Sequence, residues 1–216
     1  MSQVVGIDGD THPVGAVYGI GRNYAAHAKE LGNAVPEDPV VFLKVPASVR
    51  GLAPAPMAFD EAFHHEVEVV LRIGRGVPLG AAGSWADVAA IAIGLDLTRR
   101  EVQNRCKEKG LPWVPAKSFA GSAVVGPFVP LGRIGDPDRI GFGLTVNGEP
   151  RQRGVITGMT FPVPRVLTHL ASLAPLEPGD LVYTGTPEGV GPIRRGDAFG
   201  LTLDTAGGSF AWDGVL

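Results

Sequence analysis

The chain has 216 residues and a mass of 22.5 kDa, enough for one domain with a substantial core. Charged residues make up 19% of the chain and the formal net charge is −3, which argues against intrinsic disorder and against a nucleic-acid-binding surface. Glycine, proline or charge interrupts every apolar run before the roughly 18 residues that a membrane-spanning helix needs. We therefore expect a protein that binds neither nucleic acid nor membrane.

Glycine and proline are frequent, with 31 and 19 residues. Many turns between short apolar segments are typical of a β-rich α+β fold with a few helices. No linker or repeat divides the chain, so one catalytic domain over residues 1–216 is expected, with residues 1–20 as a short N-terminal β segment. The single cysteine, Cys106, excludes an internal disulfide, and the first residues lack the layout of a signal peptide. The expected location is the cytoplasm.

The first third of the chain predicts short strands and one helix. Residues 22–31 contain good helix formers, and Gly32 with Asn33 predicts a left-handed end to that helix. The proline-containing segment 45–56 is long enough to be a lid or a binding loop. Apolar runs predict strands over residues 4–7, 16–20 and 39–44.

Two glutamates and one aspartate form the most informative pattern. Residues 63–73 alternate as a strand, so Glu66 and Glu68 share one face and project side by side. Asp96 ends the apolar run 89–97, where a buried charge needs a partner such as a cation. Three oxygen ligands without a cysteine or histidine cluster favour Mg²⁺ or Mn²⁺. The alternative is a set of carboxylates at solvated strand edges.

Histidine and lysine side chains supply the candidates for proton transfer. His27 and Glu30 lie three residues apart on the predicted helix, where the carboxylate can orient the imidazole as a general base, or else form an ordinary surface pair. Lys117 lies in a nearly uncharged stretch, where its ammonium can stabilise developing negative charge or else stand in a solvated loop. His64 and His65 are adjacent and would point to opposite faces of a strand, which argues against a zinc site.

Candidates for binding a substrate carboxylate are scattered along the chain. Basic, amide and hydroxyl groups can all donate hydrogen bonds to a carboxylate, although such residues are also common on any protein surface. The candidates are Arg22, Lys44, Gln103 and Thr186. Thr186 belongs to the glycine-rich loop 185–192, which lacks the lysine and the spacing of a phosphate-binding P-loop. Cys106 falls inside a predicted helix and is expected to be a packing residue rather than a nucleophile.

The rest of the chain predicts two further helices and several strands. Thr98 and Glu101 form a capping-box pattern that predicts a helix over residues 99–109, and residues 163–173 have helical spacing. Ser84, three residues before Asp87, is also cap-like. Asn147 and Gly148 predict the type I′ turn of a hairpin. Further strands are predicted over residues 123–129, 181–184, 199–203 and 209–212.

Taken in order, these motifs resemble the fumarylacetoacetate hydrolase family, in particular its short single-domain acylpyruvate hydrolases. The resemblance covers nearly the whole chain, from about Tyr18 to the C-terminus. Its segments are GRNYAAHAKEL at 21–31, VFLK at 41–44, HHEVE at 64–68, LDLTRREVQ at 95–103, KGLPW at 109–113, AKSF at 116–119, VNG at 146–148 and PGDLVYTGTPEGVG at 178–191.

This resemblance carries expectations about fold, assembly and site. It implies a mixed β roll with peripheral helices, a homodimer, and a bound Mg²⁺ or Mn²⁺. The residues that it assigns are Glu66, Glu68 and Asp96 as metal ligands, His27 and Glu30 as the base and its partner, and Lys117 as the catalytic lysine.

The reaction predicted on these grounds is hydrolysis of acylpyruvates, which are 2,4-dioxo acids such as fumarylpyruvate or acetylpyruvate. A cation that chelates the carboxylate and the 2-oxo oxygen would stabilise the pyruvate enolate as a leaving group. His27 would activate a water for attack at C4, and Lys117 would stabilise the resulting oxyanion. Cleavage between C3 and C4 then gives pyruvate and a carboxylic acid.

Three alternatives remain open from the sequence. The same metal site would serve oxaloacetate decarboxylation or keto–enol tautomerisation, which need enolate stabilisation and proton transfer but no hydrolytic water. It would also serve an isomerase or decarboxylase of hydroxymuconate-type intermediates in the breakdown of aromatic compounds. The third alternative is a noncatalytic metal-binding protein of the same fold.

Overall fold

A computed structural model describes residues 2–30, 32, 34–54, 57 and 59–216. Strands predominate over helices, which confirms the predicted β-rich fold. The helices are α1 (Ala25–Glu30), α2 (Arg100–Glu108), α3 (Val114–Lys117) and α4 (Val163–Leu173). The strands are β1 (Gln3–Val5), β2 (Thr11–Pro13), β3 (Val17–Gly21), β4 (Val40–Lys44), β5 (Val49–Arg50), β6 (Phe63–His65), β7 (Val67–Ile73), β8 (Val88–Asp96), β9 (Ala123–Val125), β10 (Val129–Pro130), β11 (Gly141–Val146), β12 (Glu149–Val155), β13 (Leu181–Tyr183), β14 (Gly191–Ile193), β15 (Ala198–Thr205) and β16 (Gly208–Val215).

The central sheet is mixed and has the strand order β4-β3-β13-β7-β8-β9-β5, with β10 also paired to β8. Strand β13 runs parallel to β3 and antiparallel to β7, as expected for the predicted mixed β roll. A second sheet has the order β12-β11-β15-β16, and β1-β2 and β14-β6 form two small pairs. The N-terminal segment is therefore divided, because β1 and β2 pair with each other while β3 joins the central sheet. One catalytic domain over residues 1–216 stays a prediction.

Strand β7 is buried on both of its faces, and this fixes the middle of the central sheet. Val69 and Leu71 face the main core, which also contains Phe142 of β11 and side chains of α4. Val70 faces a second apolar cluster with Tyr183 of β13. Burying each such side chain contributes about 1.5–3 kcal/mol, so β7 and its neighbour β8 form a rigid base for the polar residues at their ends.

Several predicted elements are confirmed. Helix α4 has the predicted bounds, and its buried residues lie on one face. Asn147 and Gly148 have φ values of 52° and 82°, as the type I′ turn requires. Gly32 has a φ of 66°, the left-handed conformation predicted for the end of α1, whereas Leu31 and Asn33 lie outside the described residues.

The first helix begins at Ala25 rather than at the predicted residue 22. Arg22 has a φ of 59°, which is incompatible with a right-handed helix. The buried side chain of Asn23 donates to the carbonyl oxygens of Thr184 (2.7 Å) and Phe161 (3.1 Å), and its Oδ1 accepts from the Phe161 amide (2.7 Å). These tertiary hydrogen bonds hold Arg22 and Asn23 in a tight turn before the helix starts.

The capping box predicted at Thr98 is wrong. Helix α2 starts at Arg100, and the Thr98 hydroxyl donates instead to the main-chain oxygen of Asp96 at 3.1 Å. The same hydroxyl accepts a hydrogen bond from Lys117 at 2.7 Å. A buried ammonium thus takes the oxygen that would otherwise have capped the helix.

Three predicted segments are divided differently in the structure. The strand over 63–73 is interrupted at Glu66, and the strand over 123–129 separates into β9 and β10. The predicted lid 45–56 contains β5, which pairs in parallel with β9, so this part of the segment is a sheet edge; Ala55 and Pro56 lie outside the described residues. Within the described ranges, the structure contains no helix long and apolar enough to cross a membrane.

Candidate active site

The three predicted metal ligands meet at one end of β7 and β8. Glu66 precedes β7, Glu68 is its second residue, and Asp96 ends β8, which runs antiparallel beside it. One carboxylate oxygen of each residue lies within 4.8 Å of the others, and all three side chains are buried. Three buried carboxylates at this distance repel one another unless positive charge compensates them.

The pKa of Glu68 is affected by the two neighbouring carboxylates. Burial, and then the charges of Asp96 and Glu66, raise the pKa of Glu68 well above its ordinary value. Its Oε2 accepts a hydrogen bond from the Gly185 amide at 2.7 Å, which holds the carboxyl group toward the other two. Three oxygen ligands on rigid strands fit a hard divalent cation of the Mg²⁺ or Mn²⁺ type.

Lys117 lies among these carboxylates. Its Nζ donates to Asp96 Oδ2 at 2.5 Å, to Glu66 Oε2 at 2.7 Å and to Thr98 Oγ1 at 2.7 Å. Burial alone would lower the pKa of Lys117, but Asp96 and Glu66 outweigh burial and raise it. The ammonium therefore stays charged at the centre of the site.

Arg100 supplies further positive charge to the same carboxylates. Its Nη2 donates to Glu66 Oε1, and its Nη1 donates to Gln103 Oε1 at 2.6 Å. Burial disfavours the charged form of Glu66, but Lys117 and Arg100 outweigh burial and hold the pKa of Glu66 well below its ordinary value. Glu66 and Glu68 thus differ in protonation preference although only one residue separates them in the sequence.

The structure brings His27 and Glu30 together as the sequence predicts. His27 is buried on α1, and its Nδ1 lies 3.3 Å from Glu30 Oε2. Glu30 also accepts a hydrogen bond from the Gly189 amide at 3.1 Å, which ties it to the glycine-rich loop. With Nδ1 directed to Glu30, the other ring nitrogen of His27 is left for the cavity that this residue lines.

A small cavity of about 30 Å³ joins these groups. His27, Glu66, Glu68 and Lys117 line it, together with three of the four predicted substrate-binding residues, which are Arg22, Gln103 and Thr186. Among the described residues, the buried Nε of Arg22 has no hydrogen-bond partner, so it is a donor available to an anionic ligand.

Lys44, the fourth predicted substrate-binding residue, lies elsewhere. Its Nζ is buried 2.6 Å from Asp96 Oδ1 and donates to the Ser122 carbonyl oxygen at 3.0 Å. Burial is the main cause that lowers the pKa of Lys44. The interpretation of Lys44 as a substrate ligand is therefore replaced by a supporting position behind Asp96, where it holds the carboxylate in place.

Six cavity residues were missed by sequence reasoning, namely Ile20, Gly21, Phe42, Arg100, Lys107 and Trp113. Arg100 and Lys107 are detectable in principle, because positions 100, 103 and 107 fall on one face of a helix and Gln103 was already a candidate. Phe42 and Trp113 pack at 6.2 Å between ring centroids and form an apolar wall. Their positions depend on the packing of β4 against the segment before α3.

Comparisons with known proteins agree with this geometry. Residues 16–209 match the family model described as fumarylacetoacetate (FAA) hydrolase C-terminal. The mitochondrial oxaloacetate tautomerase of Mus musculus is 43% identical over 86% of this chain and 85% of its own length, and an oxaloacetate tautomerase of Escherichia coli is 38% identical over 89% and 90%. The fumarylpyruvate hydrolase of Pseudomonas aeruginosa, solved with Mn²⁺ and pyruvate, is 38% identical with a TM-score of 0.86, covering 99% of this chain and 95% of that one. The chain therefore belongs to the fumarylacetoacetate hydrolase family.

Proposed function

We propose that this protein is a metal-dependent tautomerase that interconverts the keto and enol forms of oxaloacetate. The observation that carries the proposal is that His27, a proton-transfer group, lines the same small cavity as Glu66 and Glu68, two of the three carboxylates of the acidic cluster. The oxaloacetate tautomerases of mouse and Escherichia coli support this choice of substrate. It was the alternative rather than the main expectation from the sequence.

Glu66, Glu68 and Asp96 are the residues that would hold Mg²⁺ or Mn²⁺. The cation would stabilise the negative charge that forms on the 2-oxo oxygen when C3 loses a proton. The cavity of about 30 Å³ has room for roughly one or two water molecules, so the side chains around it must move apart when a diacid enters.

His27 carries the proton in this proposal. Its free ring nitrogen accepts a proton from C3, and the same nitrogen returns a proton to the 2-oxo oxygen, which gives the enol with no net loss of atoms. Glu30 orients the ring through Nδ1 and stabilises the imidazolium while it carries the proton. Lys117 stabilises the developing oxyanion, and Arg22, Gln103 and Thr186 donate hydrogen bonds to the substrate carboxylates.

A second candidate is hydrolysis of acylpyruvates to pyruvate and a carboxylic acid. The His27 and Glu30 pair favours it, because a base held by a carboxylate can also activate water. The fumarylpyruvate hydrolase of Pseudomonas aeruginosa, solved with Mn²⁺ and pyruvate, is a relative named for that activity.

One experiment separates the two candidates. The metal-free protein is incubated with oxaloacetate, acetylpyruvate and fumarylpyruvate, with and without Mg²⁺ or Mn²⁺. Decay of the ultraviolet absorbance of enol-oxaloacetate, without CO₂ release, would support the tautomerase. Metal-dependent release of a carboxylic acid with pyruvate would support the hydrolase, and CO₂ release would instead indicate a decarboxylase.

The homodimer expected from the family resemblance stays a proposal. A dimer would have twice the chain mass of 22.5 kDa. Light scattering on the eluting peak of a size-exclusion column distinguishes the two masses directly.

A further inference from the structure

Gln152 lies in β12 of the second sheet, and its buried side chain reaches the candidate active site from behind. Its Nε2 donates to Thr186 Oγ1 at 2.8 Å and to the Pro187 carbonyl oxygen at 2.9 Å. Its Oε1 accepts from His65 Nδ1 at 3.0 Å and from the Val67 amide at 3.0 Å. All four hydrogen bonds of the amide are therefore made inside the protein.

The chemistry of two of these partners fixes the orientation of the amide. The Val67 main-chain nitrogen can only donate, so the atom that faces it must be the oxygen of Gln152. The Pro187 main-chain oxygen can only accept, so the atom that faces it must be the NH₂ group. It follows that Nδ1 of His65 carries a proton and that Thr186 Oγ1 accepts a hydrogen bond from Gln152.

This arrangement has a consequence for Thr186. A hydroxyl group has a single proton, and Thr186 uses a lone pair rather than that proton in its bond with Gln152. The proton is therefore free to turn toward the cavity, which Thr186 lines together with His27 and Glu68. An anionic oxygen in the cavity would then meet a donor rather than a lone pair.

The same loop is held at two further points, so its position is well defined. The Gly185 amide donates to Glu68 at 2.7 Å, and the Gly189 amide donates to Glu30 at 3.1 Å. Gly189 has a φ of 91°, and a Cβ there would lie 2.4 Å from the Arg151 carbonyl oxygen, so only glycine fits beside the residue that precedes Gln152.

We infer that Gln152 is a positioning residue that sets Thr186 as a hydrogen-bond donor to the carboxylate of the bound 2-oxo acid. The inference rests on the proposed function for the identity of that ligand. It assigns a role in the site to a residue of the second sheet, whose side chain is not among those that line the cavity.

A double-mutant cycle tests the inference. Gln152→Glu keeps the acceptor atoms for His65 and Val67 but turns the donor for Thr186 into an acceptor, and Gln152→Met removes all four bonds without adding charge. Each is combined with Thr186→Val. Asn147→Asp is the control, because it makes the same amide-to-acid change on the same hairpin, where the Asn147 side chain contacts Asp197 and Ala198 rather than the site.

The readouts are the Kd of oxalate at saturating Mg²⁺, measured by calorimetry, and kcat and KM for oxaloacetate. Thr186→Val and Gln152→Glu should each weaken oxalate binding by about tenfold or more, as expected for a lost hydrogen bond to a charged group. The double variant should be no weaker than Thr186→Val alone, because the effect of Gln152 passes through Thr186. Asn147→Asp should leave the oxalate Kd unchanged.

Additive effects of the two substitutions would overturn the inference, as would normal oxalate binding by both Gln152 variants or no oxalate binding by the wild-type protein. The proposed function fails separately. A protein that shows the non-additive oxalate cycle but no turnover of oxaloacetate would contradict the tautomerase and support the role of Gln152. Turnover of oxaloacetate together with additive effects on oxalate binding would support the tautomerase and contradict the role of Gln152.

Discussion

The Nζ atom of Lys117 lies 2.7 Å from Oε2 of Glu66, so each of these buried charges has a buried partner of opposite sign. Asp96 lies between two lysines in the same way, with Lys117 at its Oδ2 and Lys44 at its Oδ1. Glu68 has a backbone amide rather than an ammonium beside it. The positive charge in the site is therefore distributed unevenly over the three carboxylates.

Replacing Lys117 with methionine should lower the free energy of unfolding of the metal-free protein and raise its affinity for Mn²⁺. Glu66 and Asp96 would each lose one cation and keep another, Arg100 and Lys44 respectively, so the loss of unfolding free energy should lie at or below the about 3–5 kcal/mol of a broken buried ion pair. Without the repulsion between the ammonium and the cation, Mn²⁺ affinity should rise about tenfold or more. Calorimetric titration with Mn²⁺ and urea unfolding of the metal-free protein measure the two effects.

Lys107→Met is the matched control for that substitution. Lys107 lines the cavity, but its Nζ lies over the Trp113 ring rather than among the carboxylates. A smaller gain in Mn²⁺ affinity is expected for it. Equal affinities of the two variants would contradict the position assigned to Lys117.

Glu68→Gln should separate metal binding from folding. The glutamine oxygen can still accept from the Gly185 amide, so the strand and loop keep their contact. Burial, Asp96 and Glu66 favour the protonated form of Glu68, and glutamine resembles that neutral form, so the metal-free protein should unfold at the same or a higher urea concentration. Mn²⁺ affinity should fall about 100-fold or more, since a ligand is lost. A variant that binds Mn²⁺ normally would exclude Glu68 from the metal site.

Asn23→Leu should destabilise the protein by roughly 3 kcal/mol or more. The substitution leaves the Phe161 amide and the Thr184 carbonyl oxygen buried without their partner, and each orphaned group costs about 1–3 kcal/mol. Asn104→Leu provides the control, because Asn104 is exposed on α2. Urea unfolding compares them, and similar midpoints for both variants would show that the turn before α1 does not depend on Asn23.

The stability that Asp87 contributes should be lost at low pH. Burial disfavours its charged form, but hydrogen bonds from Arg75 and from the amide and hydroxyl of Ser84 outweigh burial and hold the pKa of Asp87 below its ordinary value. A carboxyl group whose pKa is lower when folded stabilises the protein above its unfolded pKa of about 3.9, and this contribution disappears as the pH falls through the folded value.

Asp87→Asn should therefore cost about 1 kcal/mol at pH 7, the size of a helix cap, because Arg75 is largely exposed and solvent screens its charge. The difference from wild type should shrink below pH 4. Asp136→Asn is the control, since Asp136 accepts from the Asp138 amide in an exposed turn. Thermal unfolding from pH 3 to pH 7 gives the comparison, and a constant difference across that range would refute the assignment.

Local sequence patterns were sufficient to predict elements whose buried face follows from the periodicity of a single helix or strand. The helical spacing of residues 163–173 creates a single apolar face, and α4 buries it as predicted. Glu66 and Glu68 point the same way because side chains two apart on an extended chain share a face. Asp96 joins them because a long apolar strand ends there beside β7.

Tertiary partners decided the positions that sequence reasoning misplaced. The Thr98 hydroxyl would cap α2 in an isolated peptide, but in the folded protein it accepts a hydrogen bond from Lys117 of α3. Lys44 resembles a free basic residue at a strand end, yet the strand order places its Nζ behind Asp96. Gln152 carried no local signal, since its four partners come from the segments around residues 65–67 and 186–187.

The position of β13 determines when the active site can form during synthesis. Residues 181–183 lie between β3 and β7, so these two strands of the central sheet are bridged only by a segment that comes much later in the chain. Closing contacts over such long sequence separations is entropically costly and therefore slow. A nascent chain that has not yet emerged beyond β13 lacks both the middle of its sheet and the loop that holds Glu68 and Glu30. The site can therefore form only after β13 and the glycine-rich loop that follows it have been synthesised and have packed against β3 and β7.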